Sequence, residues 1–280
     1  MAPGADASLS GGPIGVFDSG VGGLSVLRAL QSEMPHELFA YVADSGHAPY
    51  GERDDTHVIA RARAIADYLI RKQNIKALVV ACNTATAAAI HLLRGAYPEL
   101  PIVGIEPALK PAAALSKTGV IGVMATRGTL QSDKFRKLLD SLHGQATFVL
   151  QPCDGLADAI ERNDAIKIEA YCARYTGAMG RFGADAGAID TLVLGCTHYP
   201  FVADALQRCI GNLVIFQEGG TPVARQTRRL IEAAGIQRQH EGAKPPGQQM
   251  QFFTTGDVTA LRESVSGWLQ MAAAVTKIDI

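Results

Sequence analysis

The sequence lacks several features that would mark a membrane or secreted protein. No apolar run approaches the roughly 20 residues that a membrane helix requires. The first residues, MAPGADASLSGG, contain neither the basic start nor the apolar stretch of a signal peptide. We therefore expect a soluble chain that resides in the cytoplasm.

Cysteine is scarce, and its spacing shows no pairing pattern. The five cysteines include no Cys-x-x-Cys motif and no Cys/His spacing of a zinc site, which argues against a disulfide framework or a bound metal. A free cysteine usually behaves as a small buried hydrophobic residue, and we expect this of Cys153, Cys172 and Cys209. The last two lie in stretches of helical periodicity, and Cys153 lies in a connection.

Neither sign of charge is in excess. The net charge of −1 gives no broad attraction to nucleic acid or to an anionic membrane surface. With 280 residues, of which 48% are apolar and 19% charged, the chain is long enough to bury one large core or two modest ones. The expected partner is a small molecule.

Short β-rich apolar runs alternate with helical stretches, and the alternation occurs twice. This pattern predicts parallel strands with crossover helices and therefore an α/β fold. The predicted strands are residues 14–17, 39–43, 77–81, 102–105, 120–124, 147–150, 191–194 and 213–216. The predicted helices include residues 24–31, 55–71, 84–94, 130–142 and 165–179.

The two halves echo each other in sequence. The segment IGVF at residues 14–17 has a counterpart in IGVM at 121–124, and LVVAC at 78–82 has one in LVLGC at 192–196. Short echoes arise by chance between buried strands, but these agree in order and in spacing. They predict two doubly wound parallel-sheet domains. Each cysteine would then follow the carboxyl end of an equivalent strand, where open α/β sheets bind their ligands.

Cys82 and Cys196 would face each other across one interdomain cleft. This arrangement suits racemisation, which removes a Cα proton from one face and delivers a proton to the other. An unperturbed thiol is only about 3% ionised at pH 7, so the site has to favour the thiolate. An Ala-rich helical run follows Cys82, and its N-terminus would favour an anion there. His198 is either a proton relay for Cys196 or a capping residue.

Two polar loops follow predicted strands. The first, DSGVGG at residues 18–23, would let backbone amides approach an anion. It fails as a dinucleotide fingerprint because Ser25 stands where glycine or alanine is expected. The second, DSGHAPYG at residues 44–51, is either part of the same site or a turn rich in glycine and proline.

Taken together, these segments resemble the glutamate racemase family. The matching motifs are FDSG with two further glycines at residues 17–23, PYG at 49–51, CNT at 82–84 and GCTHYP at 195–200, in the family's order. The resemblance implies two α/β domains related by pseudo-twofold symmetry, with the active site in the interdomain cleft. It further implies conversion of L-glutamate to D-glutamate for peptidoglycan synthesis, with no cofactor.

The resemblance also implies roles for single residues. Cys82 would act on the D enantiomer and Cys196 on the L enantiomer, with Asp18 and His198 assisting their respective thiols. The positions at which the family binds substrate correspond to Asp18, Ser19, Tyr50, Gly51, Asn83, Thr84, Thr197 and His198. A homodimer, and regulation by a cell-wall precursor as in some members, follow from the resemblance alone.

The family pattern predicts that the chain passes from one domain to the other and back. Residues 13–107 and 221–280 would form the first α/β domain and residues 108–220 the second. The sequence departs from the family at QEGG, residues 217–220, where an Asp-Ser-Gly type turn is more usual. Residues 1–12 are expected to form a disordered tail and residues 239–249 a surface loop.

An unactivated amino-acid Cα–H is a very weak acid, so a thiolate needs help to remove its proton. We expect backbone amides and the hydroxyls of Ser19, Thr84 and Thr197 to cradle the substrate α-carboxylate and the charge that develops on it. Closure that excludes water would strengthen this effect. No pyridoxal lysine motif is evident.

Three other functions stay open at this point. A racemase of the same superfamily that acts on aspartate or a hydantoin would be distinguished by substrate competition. A cysteine hydrolase or transferase with Cys82 as nucleophile would form a covalent intermediate that can be trapped. A non-catalytic amino-acid binding protein would bind without turnover.

Overall fold

The computed structural model describes residues 11–238 and 249–280. The predicted tail lies outside the described residues except for residues 11 and 12, and the predicted surface loop does so except for Gln249. Within the described part, no helix is both long enough and apolar enough to cross a membrane.

Strands and helices alternate along the chain, as the apolar pattern predicts. The described strands are β1 (Ile14–Asp18), β2 (Phe39–Ala43), β3 (Ala77–Val80), β4 (Ile102–Gly104), β5 (Val120–Ala125), β6 (Thr147–Pro152), β7 (Thr191–Leu194), β8 (Ile215–Gln217), β9 (Met250–Thr254) and β10 (Val275–Lys277). The described α-helices are α1 (Leu24–Glu33), α2 (Asp55–Gln73), α3 (Asn83–Ala96), α4 (Leu109–Leu115), α5 (Arg127–Gln131), α6 (Asp133–Asp140), α7 (Leu156–Glu161), α8 (Ala165–Met179), α9 (Ala203–Ile210), α10 (Gly220–Ala233) and α11 (Val258–Leu269). Short 3₁₀ helices cover Ser45–His47, Tyr50–Glu52 and Tyr199–Val202.

The strands form two sheets, and every strand pair in them is parallel. The first sheet has the order β10-β9-β2-β1-β3-β4, and the second has the order β6-β5-β7-β8. The order β2-β1-β3-β4 in the first sheet is repeated as β6-β5-β7-β8 in the second. These observations confirm the prediction of two parallel-sheet α/β domains.

Each sheet is buried on both faces, as parallel sheets are. In β1, Ile14 and Val16 belong to one buried cluster, whereas Phe17 belongs to the cluster on the opposite face. In β5, Val123 and Met124 likewise belong to separate clusters. This explains why the strands appear in the sequence as nearly continuous apolar runs without polar alternation.

Two sequence-based expectations about single elements are wrong, and two strands were missed. The predicted helix at residues 130–142 is two helices, because Ser132 is extended and its hydroxyl accepts the Phe135 amide at 3.1 Å to cap α6. Strands β9 and β10 were not predicted. Cys209 lies in a helix as expected but is exposed, whereas Cys153 and Cys172 are buried.

The two chain segments that connect the sheets pass very close to each other. A Cβ at Gly219 would lie 2.7 Å from Ile105 Cγ1 and 3.2 Å from the Glu106 carbonyl oxygen. Only glycine fits at that distance. This close approach gives a physical reason for Gly219 within the QEGG segment.

Candidate active site

The two cysteines singled out from the sequence both follow the carboxyl ends of central strands. Cys82 follows β3 and forms the N-cap of α3, where its sulfur accepts the Ala85 amide at 3.4 Å. Cys196 follows β7 by two residues. Both side chains are buried. The predicted placement of Cys82 at a helix N-terminus is therefore confirmed.

Asp18, at the end of β1, connects the surroundings of the two thiols. The Cys82 sulfur lies 3.8 Å from the Ser19 hydroxyl, and that hydroxyl lies 3.3 Å from Asp18 Oδ1. The other carboxylate oxygen, Oδ2, accepts the Thr197 hydroxyl at 2.8 Å. Thr197 directly follows Cys196, so one hydrogen-bonded chain runs from the thiol of the first domain to the residue beside the thiol of the second.

His198 stands between Cys196 and a carboxylate. Its Nδ1 lies 3.6 Å from the Cys196 sulfur, and its Nε2 lies 2.5 Å from Glu161 Oε1. The same Glu161 oxygen accepts the Val21 amide of the first domain at 2.6 Å. Glu161, the last residue of α7, thus orients His198 and also contacts the opposite domain.

The glycines of the first polar loop are needed because the second domain approaches so closely. A Cβ at Gly22 would lie 2.4 Å from His198 Nδ1, and a Cβ at Gly20 would lie 1.9 Å from Glu161 Oε1. The sequence predicted that amides in this loop meet an anion. In the structure the anion is a carboxylate of the protein itself, Glu161, which the Val21 amide contacts.

Burial outweighs the helix N-terminus in setting the protonation of Cys82. Its pKa is raised to about 12, mainly because burial removes water and also because of the charge of Asp18, while the Ala85 amide opposes both effects. The N-terminus of α3 therefore lowers the pKa of Cys82, as the sequence predicts, but burial has the larger effect. Cys82 is a neutral thiol here.

His198 and Asp18 are also perturbed. Burial by itself lowers the pKa of His198, but the hydrogen bonds and charges of Cys196 and Glu161 outweigh it and raise that pKa well above its usual value. Burial raises the pKa of Asp18, and the charge of His198 and the Gly20 amide oppose it. A cationic imidazole consequently faces Cys196, and an imidazolium stabilises a thiolate.

The second polar loop forms another wall beside the thiols. Tyr50 lies in the same buried cluster as Cys82, and its hydroxyl donates to Asp44. Gly51 touches the second domain, since a Cβ there would lie 2.7 Å from Thr126 Cβ. Tyr50 is therefore a buried residue near Cys82 whose hydroxyl is engaged by Asp44.

Asn83 and Thr84, the first residues of α3, differ in their hydrogen bonding. The amide oxygen of Asn83 is buried, and it has no hydrogen-bond partner among the residues that the structure describes. The Thr84 hydroxyl lies 3.0 Å from the Thr126 hydroxyl of the second domain. An unsatisfied buried acceptor beside a thiol is suited to bind a donor group of a ligand.

Thr126 and Glu161 were missed in the sequence, and Asp44 was noted there only as the first residue of the second polar loop. Glu161 is separated from Val21 by 140 positions and from His198 by 37. Nothing in the neighbouring sequence distinguishes a carboxylate at a helix end that contacts a buried site from one that is exposed to solvent. Over the described residues, no group of three or more His, Cys, Asp or Glu side chains is placed to hold a metal ion.

Two parallel α/β domains, each with a buried cysteine after a central strand, form an arrangement suited to an enzyme that racemises its substrate with two bases. The sequence matches the Asp/Glu/Hydantoin racemase family over residues 22–223, well over half of the chain. The chain belongs to this family.

Individual relatives agree with the family match. A glutamate racemase of Ralstonia pickettii is 44% identical over 270 residues, which cover 96% of this chain and 92% of that protein. One of Ectopseudomonas mendocina is 46% identical, with coverage of 89% and 92%. The crystal structure of a glutamate racemase isoform of Bacillus anthracis is similar with a TM-score of 0.83 at 31% identity, covering 96% of this chain and 98% of that one.

Proposed function

We propose that this chain interconverts L- and D-glutamate without a cofactor, with Cys82 and Cys196 as the acid and the base. The observation that carries the proposal is the chain of contacts from Cys82 through Ser19 and Asp18 to Thr197, which supports a single site shared by the two thiols. The substrate is supported by the relatives, which are glutamate racemases at 44–46% identity over most of this chain.

The two thiols differ in their surroundings, and we assign each a role from this difference. Burial raises the pKa of Cys82 and favours its thiol form, whereas Cys196 lies beside His198, whose pKa is raised. A Cys196 thiolate removes the Cα proton of L-glutamate, and the Cys82 thiol delivers its proton to the opposite face. The product is D-glutamate, with a Cys196 thiol and a Cys82 thiolate, and the reverse reaction restores the first state.

Substrate binding uses the polar groups around the thiols. The unpaired Asn83 amide oxygen accepts a hydrogen from the substrate ammonium group. That ammonium group brings a positive charge close to Cys82 and favours its thiolate during turnover. Tyr50 and Gly51 form a wall of the site, and Asp18 and His198 assist their neighbouring thiols.

The substrate carboxylate is held by groups that already donate hydrogen bonds at the site. The hydroxyls of Ser19, Thr84 and Thr197 each contact a protein group in the structure. When glutamate binds, these hydroxyls turn to its α-carboxylate and stabilise the charge that develops after proton removal. A ligand-bound structure in which they point away from the carboxylate would contradict this part of the proposal.

The proposal extends to the organisation of the protein and its place in the cell. Residues 13–107 and 221–280 form the first domain and residues 108–220 the second. The reaction takes place in the cytoplasm and supplies D-glutamate for peptidoglycan. Two copies of the chain pair as a homodimer, and a cell-wall precursor acts as effector, both on the basis of the family resemblance.

Proton NMR in deuterated buffer tests the proposal directly. Reduced protein with L-glutamate and no added cofactor should cause loss of the Cα proton signal, and chiral analysis should show D-glutamate. Absence of both exchange and inversion from a folded, reduced sample would contradict glutamate as substrate. Turnover of aspartate in the same assay would then assign the chain to another member of the family.

A further inference from the structure

Asp44 is a completely buried carboxylate at the end of β2, and several donors surround it. Arg61 donates to both of its oxygens, from Nε to Oδ2 at 2.9 Å and from Nη2 to Oδ1 at 2.8 Å. The Tyr50 hydroxyl donates to Oδ2, and the Thr255 hydroxyl donates to Oδ1 at 2.8 Å. A buried carboxylate requires such compensation, and Arg61 supplies a positive charge directly to it.

Arg61 is itself held in one orientation. Its remaining terminal nitrogen, Nη1, donates to the Ile280 carbonyl oxygen at 2.7 Å, and its side chain is only 12% exposed. The planar guanidinium is therefore fixed by Asp44 on one side and by Ile280 on another. Lysine cannot reproduce this fork of donors.

The loop that Asp44 anchors reaches from the first sheet to the second domain. At its start, the Asp44 amide donates to the Asp18 carbonyl oxygen at 3.0 Å. At its other end, Gly51 lies against Thr126. The position of Tyr50 and Gly51, and with it one wall of the cleft, thus depends on how Asp44 is held.

We propose that Arg61 is a positioning residue for substrate binding, which acts through Asp44 to fix Tyr50 and Gly51 at the wall of the active site. The inference rests on the proposed function, in which that wall binds glutamate. Arg61 touches neither thiol in the structure and takes no part in proton transfer. Its loss therefore weakens binding of both enantiomers more than it slows the chemical step.

The test compares Arg61→Ala and Arg61→Lys with Arg63→Ala, a control that removes an exposed arginine from the same helix. We expect Arg61→Ala to raise KM for L- and D-glutamate about tenfold while kcat changes by less than about threefold. Arg61→Lys should lie between this variant and the wild type, and Arg63→Ala should match the wild type. Because racemisation has an equilibrium constant of one, kcat/KM must fall equally for both enantiomers.

Chemical rescue separates positioning from general structural damage. Millimolar guanidinium chloride should lower the KM of Arg61→Ala, since guanidinium fits the vacated site, whereas ammonium chloride at the same concentration should not. If Arg61→Ala does not fold, the kinetics of Arg61→Lys are compared with those of the wild type, and its KM for glutamate should still be raised. Circular dichroism establishes folding in each case.

The outcomes distinguish the two proposals. An active wild type together with an unchanged KM in a folded Arg61 variant would overturn the positioning role and leave glutamate racemisation in place. A fall in kcat of Arg61→Ala as large as the rise in its KM, together with no response to guanidinium, would also overturn it. An inactive wild type would contradict the proposed function itself.

Discussion

The two cysteines occupy equivalent positions in the two sheets but have different neighbours. Cys82 faces Ser19 and the carboxylate of Asp18, whereas Cys196 faces a cationic His198. Removing a thiol from water disfavours its charged form, and a nearby cation or a donated hydrogen bond opposes that effect. Burial accordingly raises the pKa of Cys82, whereas Cys196 lies beside a histidine whose own pKa is raised.

Replacing either thiol should abolish racemisation without unfolding the protein. We expect Cys82→Ser and Cys196→Ser each to lower kcat at least about a thousandfold, because a hydroxyl is a much weaker acid than a thiol. Chiral analysis of the product measures this, and Cys209→Ser, which changes an exposed cysteine, should keep full activity. Near wild-type turnover in either active-site variant would remove that thiol from the mechanism.

The raised pKa of Cys82 predicts how its reactivity depends on pH. With a pKa of about 12, only about one molecule in ten thousand carries the Cys82 thiolate at pH 8. Its alkylation by iodoacetamide should therefore rise about tenfold per pH unit from roughly pH 7 to 9 without a plateau. Peptide mapping by mass spectrometry reports Cys82 separately from the exposed Cys209. A plateau below pH 9 would show that the thiolate is not disfavoured.

Helix α7 is the element that joins the two sides of the cleft. At its beginning the Gly155 amide donates to the Glu52 side chain of the first domain at 3.0 Å, and at its end Glu161 accepts the Val21 amide at 2.6 Å. Gly155 has a φ of +77°, which favours glycine. Contacts with the first domain thus hold both ends of the helix in place. Through its hydrogen bond to His198, Glu161 also orients the imidazole.

Glu161→Gln tests this element because it keeps the shape of the side chain and removes its charge. Without the carboxylate the imidazolium of His198 is less stable, so the pKa of His198 falls. We expect kcat for L-glutamate to drop at least about tenfold, and the decline of kcat at alkaline pH to begin at a lower pH than in the wild type. A pH–kcat profile compared with that of the wild type measures both effects. An unchanged profile would show that Glu161 only supports the fold.

The whole molecule brings the site together from both domains. Hydrogen bonds cross from one domain to the other between Thr197 and Asp18, between Thr84 and Thr126, and from Ser25 to the Thr197 carbonyl oxygen at 3.0 Å. In each of these contacts one residue, Thr197 or Thr84, lies within two positions of a thiol. Separation of the domains would therefore disassemble the catalytic site.

Ligand binding should stabilise the two domains together. At about 100 times Kd, an equilibrated racemic mixture of glutamate should add about 2.7 kcal/mol to the free energy of unfolding. Calorimetry should then show one transition that moves to higher temperature as a unit. Two transitions, of which only one responds to glutamate, would show that the ligand contacts a single domain.

The structure agrees best with the prediction for those elements whose limits depend on residues close together in the sequence. Strands β2 and β7 have the predicted limits, as does α8, because apolar runs bounded by turn residues carry that information locally. The break at Ser132 was missed, because Ser132 caps α6 inside a pattern that is continuous in apolar spacing. Strands β9 and β10 were missed because their pairing with β2 and with each other depends on residues far away in the sequence.

The sequence by itself determined the α/β class, the repeated order of strands and the residues that flank each strand end, including both cysteines. These follow from local periodicity and from motifs of a few residues. Only the tertiary structure decided that Glu161 orients His198, that Asp44 and Arg61 hold Tyr50, and that Cys82 is a neutral thiol. Each of these depends on burial or on contacts between distant segments, and the loss of water that raises a pKa exists only once the chain has folded.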